Sequence, residues 1–129
     1  MARSERFDAE LRVLLVDDNS GVRRSTADVL TNSGYIVEQA SDGIEAIAIL
    51  SARPFDAIVL DLALPNLSGI EVLDAQFRPP PVIIVSALEY YDADHVLGRF
   101  GTKIFAVLRK PVPPELLLTT LHDAVAGAS

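Results

Sequence analysis

Polar side chains suited to metal and phosphoryl chemistry stand directly after the apolar runs of this chain. They are Asp17, Asp18, Asp61, Ser86 and Lys110. Two like charges about 4 Å apart repel each other by about 4 kcal/mol at an effective dielectric constant near 20. Three clustered acids therefore need a cation, and their hard oxygen atoms favour Mg²⁺ or Mn²⁺. A lysine and a hydroxyl can bind phosphate oxygens, and an aspartate can itself become an aspartyl phosphate.

These side chains meet only if the apolar runs are parallel strands of one sheet. Short runs rich in branched apolar residues are typical of strands that are buried on both faces. We expect such strands over residues 11–16, 55–60, 82–85 and 103–108, and a more polar strand at the edge of the sheet over 35–39. In an open parallel sheet, ligands bind beyond the carboxyl ends of the strands, where the polar side chains would lie.

Stretches with helical signals separate the expected strands. A helix capped by Asn19 or Ser20 should stop at Gly34, and further helices are expected over 43–50, 69–77 and 90–100 and from 113 or 114 onward. Five βα units imply an α/β fold in which helices cover both faces of a parallel sheet. The residues expected on the inner sides of the first two helices are Val22, Thr26, Val29 and Leu30, then Ile44, Ile47 and Ala48.

The composition limits the classes of function. The 129 residues fit one domain over 11–126, with a polar lead-in at 1–10, a tail at 127–129 and no output domain. The net charge of −7 argues against nucleic acid or an anionic membrane as a direct partner. No apolar stretch approaches the ~20 residues of a membrane span. The absence of cysteine fits a reducing, cytoplasmic location.

Four motifs, in this order, carry a family resemblance. They are VLLVDDN at 13–19, DLALPNLSG at 61–69, VSA at 85–87 and RKP at 109–111. Together they resemble the response regulator receiver domain of two-component signalling, over residues 11–126. The resemblance implies a flavodoxin-like (βα)5 three-layer sandwich with the strand order 2-1-3-4-5. It also implies a phosphorelay switch that catalyses only its own phosphorylation and dephosphorylation.

The resemblance assigns a role to each matching acid. Asp61 would accept the phosphoryl group from a phosphohistidine on a sensor histidine kinase or a phosphotransfer protein. The side chains of Asp17, Asp18 and Asp61 and the backbone carbonyl of Ala63 would bind Mg²⁺, with Mn²⁺ as an alternative.

The remaining matches concern the phosphoryl group and the response to it. The Lys110 ammonium, the Ser86 hydroxyl and the backbone amide of Ala87 would bind the phosphoryl oxygens. Phosphorylation would then shift the face formed by the fourth helix, fifth strand and fifth helix. In the family this face often carries the contact with a downstream target or a homodimer.

One position departs from the family pattern. Receiver domains usually have Tyr or Phe three residues before the lysine, and this chain has Val107 there. Phe105 lies two residues earlier and, because side chains alternate along a strand, could face the same side about 6–7 Å away. The segment 101–110 also looks longer than usual. Either the aromatic switch is absent or moved to Phe105, or the family pattern aligns differently within this segment.

Two other functions remain open. Val107 is compatible with a receiver-like module that binds a protein partner without productive phosphorylation. A metal-dependent phosphohydrolase is a less favoured alternative. Such enzymes typically need a second acid two residues after the nucleophile, and Asn19 stands two residues after Asp17.

Overall fold

The computed structural model describes residues 11–62, 72, 80–87 and 104–128. The strands are β1 (Arg12–Val16), β2 (Ile36–Ala40), β3 (Ala57–Leu60), β4 (Val82–Ser86) and β5 (Ile104–Arg109). The helices described along their length are α1 (Ser20–Asn32), α2 (Gly43–Ala52) and α3 (Pro114–Ala128). The helices expected over 69–77 and 90–100 lie outside the described residues, apart from Val72, which is helical and buried. Within the described part of the chain, no helix is long and apolar enough to cross a bilayer.

All five strands are parallel and stand in the order β2-β1-β3-β4-β5, which confirms the predicted α/β fold and its strand order. The carboxyl ends of the strands therefore lie along one edge of the sheet. Val16 is opposite Leu60 in the register of β1 and β3, so the residues that follow them, Asp17 and Asp61, are neighbours. The Asp61 amide extends this pairing by donating to the Val16 carbonyl at 3.0 Å.

The central strands are buried on both faces, which explains why their sequences are continuously apolar. One face packs against α2 and the other against α1 and α3. The strand residues on the α2 side are Leu14, Val16, Ala40, Ile58, Leu60, Val82, Ile84 and Ile104. Those on the α1 and α3 side are Val13, Leu15, Ala57, Val59 and Ile83.

The first helix is capped at both ends as its sequence predicts. The Asn19 side chain accepts a hydrogen bond from the Val22 amide at 3.0 Å, which satisfies one free donor of the first turn. Beyond the other end, Gly34 has a φ of 101°, a left-handed conformation that favours glycine.

The predicted inner sides of the helices are partly wrong. On α2, Ile44 is 59% exposed and Ala48 is also exposed, whereas Ala46 is buried and Ile47 packs against the core. Six of the seven residues at 44–50 are apolar, so their spacing does not define which side of the helix faces the sheet. On α1, Val22 is 45% exposed instead of buried.

A β-bulge interrupts the pairing of β4 with β5. Val82 is opposite Ile104, but the next residue, Ile83, is opposite Ala106, which leaves Phe105 as the extra residue. The bulge adds one residue to this segment. Ile104 and Val107 are three positions apart yet pack on the same side of the sheet, so strict alternation does not hold here. The alternation from which Phe105 is expected to share the side of Val107 is therefore interrupted in this strand, and the side that Phe105 faces stays a prediction.

Candidate functional site

Asp17 and Asp61 occupy adjacent positions at the carboxyl edge of the sheet, and both are buried. The Asp17 amide donates to the carbonyl of Ala40 at the end of β2, which fixes its backbone beyond the end of β1. Asp18 follows as an exposed residue at the mouth of the site. One carboxylate oxygen from each of the three acids lies within 4.8 Å of the others. The predicted acidic cluster therefore forms.

Lys110 places its ammonium among these acids. Its Nζ lies 3.0 Å from Asp17 Oδ2 and 2.9 Å from Asp61 Oδ2. Partial burial alone would lower the pKa of Lys110, but the hydrogen bonds and charges of Asp61 and Asp17 outweigh it, so that its pKa is raised above the ordinary value. The Lys110 backbone is held as well, because its amide donates to the Ser86 carbonyl at 3.1 Å.

Ser86 brings the hydroxyl to the same edge. The side chain is buried, and its Oγ donates to Asp61 Oδ1 at 3.5 Å, a long hydrogen bond. Ala87 follows as an exposed residue immediately beyond β4. Ala63, predicted to contribute a backbone carbonyl, lies outside the described residues.

The donor set fits a divalent cation that prefers oxygen ligands. Three carboxylates and one ammonium leave two negative charges in excess within a small volume. Asp18 is open to solvent, so water molecules could complete a coordination shell, as Mg²⁺ commonly requires. Asp17, Asp18 and Asp61 are the residues that could hold the ion.

The residues considered for an aromatic switch occupy different surroundings. Val107 is opposite Ile84 and packs, partly buried, against the core on the α2 side. Phe105 is 47% exposed and has no partner in the strand pairing. Neither residue has a hydroxyl that could bind Ser86.

Sequence reasoning missed one residue beside the acidic cluster. Arg23, on the first turn of α1, donates from Nη1 to the Asp17 carbonyl at 2.8 Å and from Nε to Gln39 Oε1 at 3.2 Å. The six-residue spacing between Asp17 and Arg23 gives no sequence signal for this contact. Its geometry depends on β2 lying beside β1.

An open groove of about 510 Å³ adjoins the site between α1 and the beginning of α3. Its lining includes Asn19, next to Asp18, and the apolar residues Val22, Val112 and Leu117. The exposed Val22 is thus part of a concave apolar surface.

The sheet order, together with acids, a lysine and a hydroxyl at its carboxyl edge, defines the receiver class of signalling domains. The family model "Response regulator receiver domain" matches residues 13–122, and this chain belongs to that family. Receiver domains of two-component response regulators are phosphorylation-based switches, and response regulators receive phosphoryl groups from sensor kinases. The family binds Mg²⁺ at an acidic pocket.

Curated relatives and solved structures agree with this membership. The chain is 45% identical over 124 residues to the response regulator MprA of Mycobacterium sp. (strain KMS), covering 81% of this chain and 54% of that protein. It is 33% identical over 114 residues to protein-glutamate methylesterase/protein-glutamine glutaminase 1 of Rhizobium johnstonii, covering 85% of this chain and 33% of that protein. The chain thus spans about half or less of the length of these relatives.

A solved receiver domain protein (CheY-like) from Methanospirillum hungatei JF-1 superposes with a TM-score of 0.84 at 28% identity. That match covers 93% of this chain and 97% of the other. The chemotaxis response regulator CheY4 of Vibrio cholerae gives a TM-score of 0.78 at 31% identity, with 90% and 99% covered.

Proposed function

We propose that this domain accepts a phosphoryl group on Asp61 from the phosphohistidine of a sensor histidine kinase or a phosphotransfer protein, in a Mg²⁺-dependent reaction. One observation carries the proposal. The buried Asp61 carboxylate has the Lys110 ammonium 2.9 Å from one oxygen and the Ser86 hydroxyl 3.5 Å from the other. The acceptor and two groups that can bind phosphate oxygens thus stand together.

In the proposed reaction, an Asp61 oxygen attacks phosphorus while the bond from phosphorus to the donor nitrogen breaks. The imidazole leaves with the bonding electrons and takes a proton from solvent. The protein contributes position and charge, which supply most of the catalysis in phosphoryl transfer. The Lys110 ammonium would bind the transferred oxygens, and Ser86 and the Ala87 amide would donate hydrogen bonds to them.

Asp17, Asp18, Asp61 and the carbonyl of Ala63 are the proposed ligands of Mg²⁺, or of Mn²⁺ in its place. When bound, the cation would offset the charge of the carboxylates and of the phosphoryl oxygens. The roles of Asp17, Asp18 and Asp61 are supported by their convergence within 4.8 Å.

We further propose that phosphorylation of Asp61 changes the conformation of β5. Ser86 is opposite Arg109 in the strand register, so a movement of Ser86 would displace the end of β5. The face that includes β5 and α3, the last of the five helices expected from the sequence, is the proposed contact for a downstream protein or a homodimer. A cytoplasmic location, without direct binding of nucleic acid or membrane, is part of the same proposal.

Intact-mass measurement after incubation with a small acyl phosphate and Mg²⁺ tests the acceptor. The wild type should gain one phosphoryl group, Asp61→Asn should gain none, and Asp28→Asn should behave as the wild type because Asp28 is exposed on α1. The absence of an adduct on the wild type, or its persistence in Asp61→Asn, would overturn the proposal.

Val107 supports a second candidate, a receiver-like module that binds a partner without productive phosphorylation. This candidate predicts that beryllofluoride, a mimic of the phosphoryl group, leaves the amide spectrum around Ser86 unchanged. A Mg²⁺-dependent spectral change on adding beryllofluoride excludes it.

A further inference from the structure

Each polar atom of Asp17 has a defined partner. Its amide donates to Ala40 at 3.1 Å, and its Oδ1 accepts from the Asn19 amide at 2.9 Å. Its Oδ2 is 3.0 Å from the Lys110 ammonium, and its carbonyl accepts from Arg23 Nη1 at 2.8 Å. Among these contacts, only the one from Arg23 comes from a side chain on a helix. The others come from residues at the strand ends or just beyond them.

The Arg23 guanidinium joins segments that are distant in sequence. Its Nη1 binds the carbonyl at the end of β1, while its Nε binds Gln39 Oε1 on β2. The Arg23 amide begins the hydrogen bonding of α1 by donating to the Asn19 carbonyl at 2.8 Å. The planar fork of an arginine can bind two acceptors at a fixed angle, which a lysine cannot do.

The Asp17 carbonyl belongs to the peptide group that links Asp17 to Asp18. This group is planar, so the hydrogen bond from Arg23 fixes the orientation of the Asp18 amide and the position of the Asp18 Cα, from which its side chain starts. Asp18 is exposed and lies beyond the end of β1, so the sheet does not hold it. The hydrogen bond from Arg23, on α1, restrains the backbone of Asp18 instead.

We infer that Arg23 is a positioning residue for the cation, acting by fixing the peptide between Asp17 and Asp18. This inference rests on the proposed binding of Mg²⁺ by these acids. Loss of the Arg23 charge alone would strengthen the binding of Mg²⁺, because a cationic side chain near the site repels a metal ion. This electrostatic effect is reduced by salt, which screens charges near the surface. Loss of a group that orients a metal ligand commonly costs about 10–100-fold in affinity, so the positioning effect should be the larger.

Mg²⁺ titration of the full chain, followed by amide chemical shifts, tests the inference. Arg23→Gln should weaken Mg²⁺ binding by about tenfold. Arg23→Lys keeps the charge but cannot donate to both acceptors, so its affinity should lie between those of Arg23→Gln and the wild type. Arg24→Gln, which removes the same charge from an exposed neighbour, should bind Mg²⁺ as the wild type does.

The direction of the change in Mg²⁺ affinity distinguishes a positioning role of Arg23 from an effect of its charge. Arg23→Gln binding Mg²⁺ as tightly as the wild type, or more tightly, would overturn the inference and leave the proposed function intact. A wild type that binds no Mg²⁺ would instead overturn the metal site itself.

A purely structural role would lower the melting temperature of the metal-free protein without changing the affinity of its folded form. If Arg23→Gln does not fold, Gln39→Ala removes one of the two acceptors and should weaken Mg²⁺ binding by a smaller factor. An unchanged affinity in Gln39→Ala would then count against positioning through Arg23.

Discussion

The Lys110 ammonium contacts the Asp61 carboxylate at 2.9 Å although β5 and β3 are not neighbours in the sheet. The lysine side chain must cross the end of β4, and its backbone is anchored there by the hydrogen bond from its amide to the Ser86 carbonyl. Positive charge is therefore in position before a phosphoryl group arrives. Such preorganised charge needs no rearrangement during the reaction, which is why it is effective in catalysis.

Replacing Lys110 with Gln should slow phosphorylation of Asp61 by a small acyl phosphate by about 10²-fold, the usual effect of losing one preorganised stabilising group. The acceptor and its two neighbouring acids remain, so a slow reaction should persist. Initial rates from intact mass measure the effect, with Arg24→Gln as a control for lost charge on the exposed side of α1. A rate within twofold of the wild type would contradict the role of Lys110.

The raised pKa of Lys110 predicts how the metal-free protein responds to alkaline pH. Below 10.5, the ordinary lysine value, the ammonium contributes its full stabilisation, and this contribution is lost as the pH rises through the higher pKa of the folded state. The difference in melting temperature between the wild type and Lys110→Gln should stay constant from neutral pH to about pH 10 and shrink above it. A difference that shrinks well below pH 10 would mean that the lysine is not held by the two carboxylates.

The residues at the strand ends could be predicted because only the pattern of apolar residues in the sequence is needed to find them. Buried parallel strands are recognisable as short apolar runs, and the residues that follow these runs lie at the same edge of the sheet. Asp17, Asp61, Ser86 and Lys110 follow from that rule, and the structure brings all four together. Their exact distances do not follow from it.

Other features depend on geometry that the sequence leaves undefined. The nearly continuous apolar run on α2 fits several orientations, so it does not predict the exposure of Ile44. The bulge at Phe105 becomes visible only in the register of β4 and β5. The contact from Arg23 to Asp17 requires α1, β1 and β2 to be packed together.

Ser86 should matter more for the spread of the phosphorylation signal than for phosphorylation itself. Its hydroxyl is 3.5 Å from Asp61, a weak contact, but the residue pairs with Arg109 on β5. In Ser86→Ala, phosphorylation should proceed while the amide shifts that beryllofluoride causes in β5 diminish. Ser86→Thr retains a hydroxyl and should preserve those shifts. Full β5 shifts in Ser86→Ala would show that the signal takes another route.

Phe105 should not act as an aromatic switch. Phe105 has no partner in the pairing of β4 with β5, is 47% exposed and is not among the described residues that pack in the core, so packing among these residues does not couple it to Ser86. Phe105→Ala should therefore retain the beryllofluoride-dependent amide shifts around Ser86. Val107→Ala is the matched comparison and should unfold at lower temperature, because Val107 packs against the core. If Phe105→Ala loses the amide shifts around Ser86, Phe105 does act as the relocated aromatic switch.

Val22 should be required for phosphoryl transfer from a protein donor but not from a small molecule. It is 45% exposed and lines the groove of about 510 Å³ beside Asn19, next to the mouth of the acidic site. We expect a protein that delivers a phosphoryl group to Asp61 to contact this surface, because the groove adjoins the acidic site, whereas an acyl phosphate is too small to need it. Val22→Asp should therefore slow transfer from a phosphorylated kinase or phosphotransfer protein and leave the acyl phosphate reaction unchanged.

Ile44 on α2 provides the matched control for Val22, because it is 59% exposed and α2 lies on the other face of the sheet. Ile44→Asp introduces the same charge in place of an exposed apolar residue and should leave both reactions unchanged. Comparing initial rates with the two donors separates loss of docking from damage to the site. Equal slowing of both reactions in Val22→Asp would indicate a disturbed site, and equal slowing of protein transfer in both variants would indicate a general effect of charge.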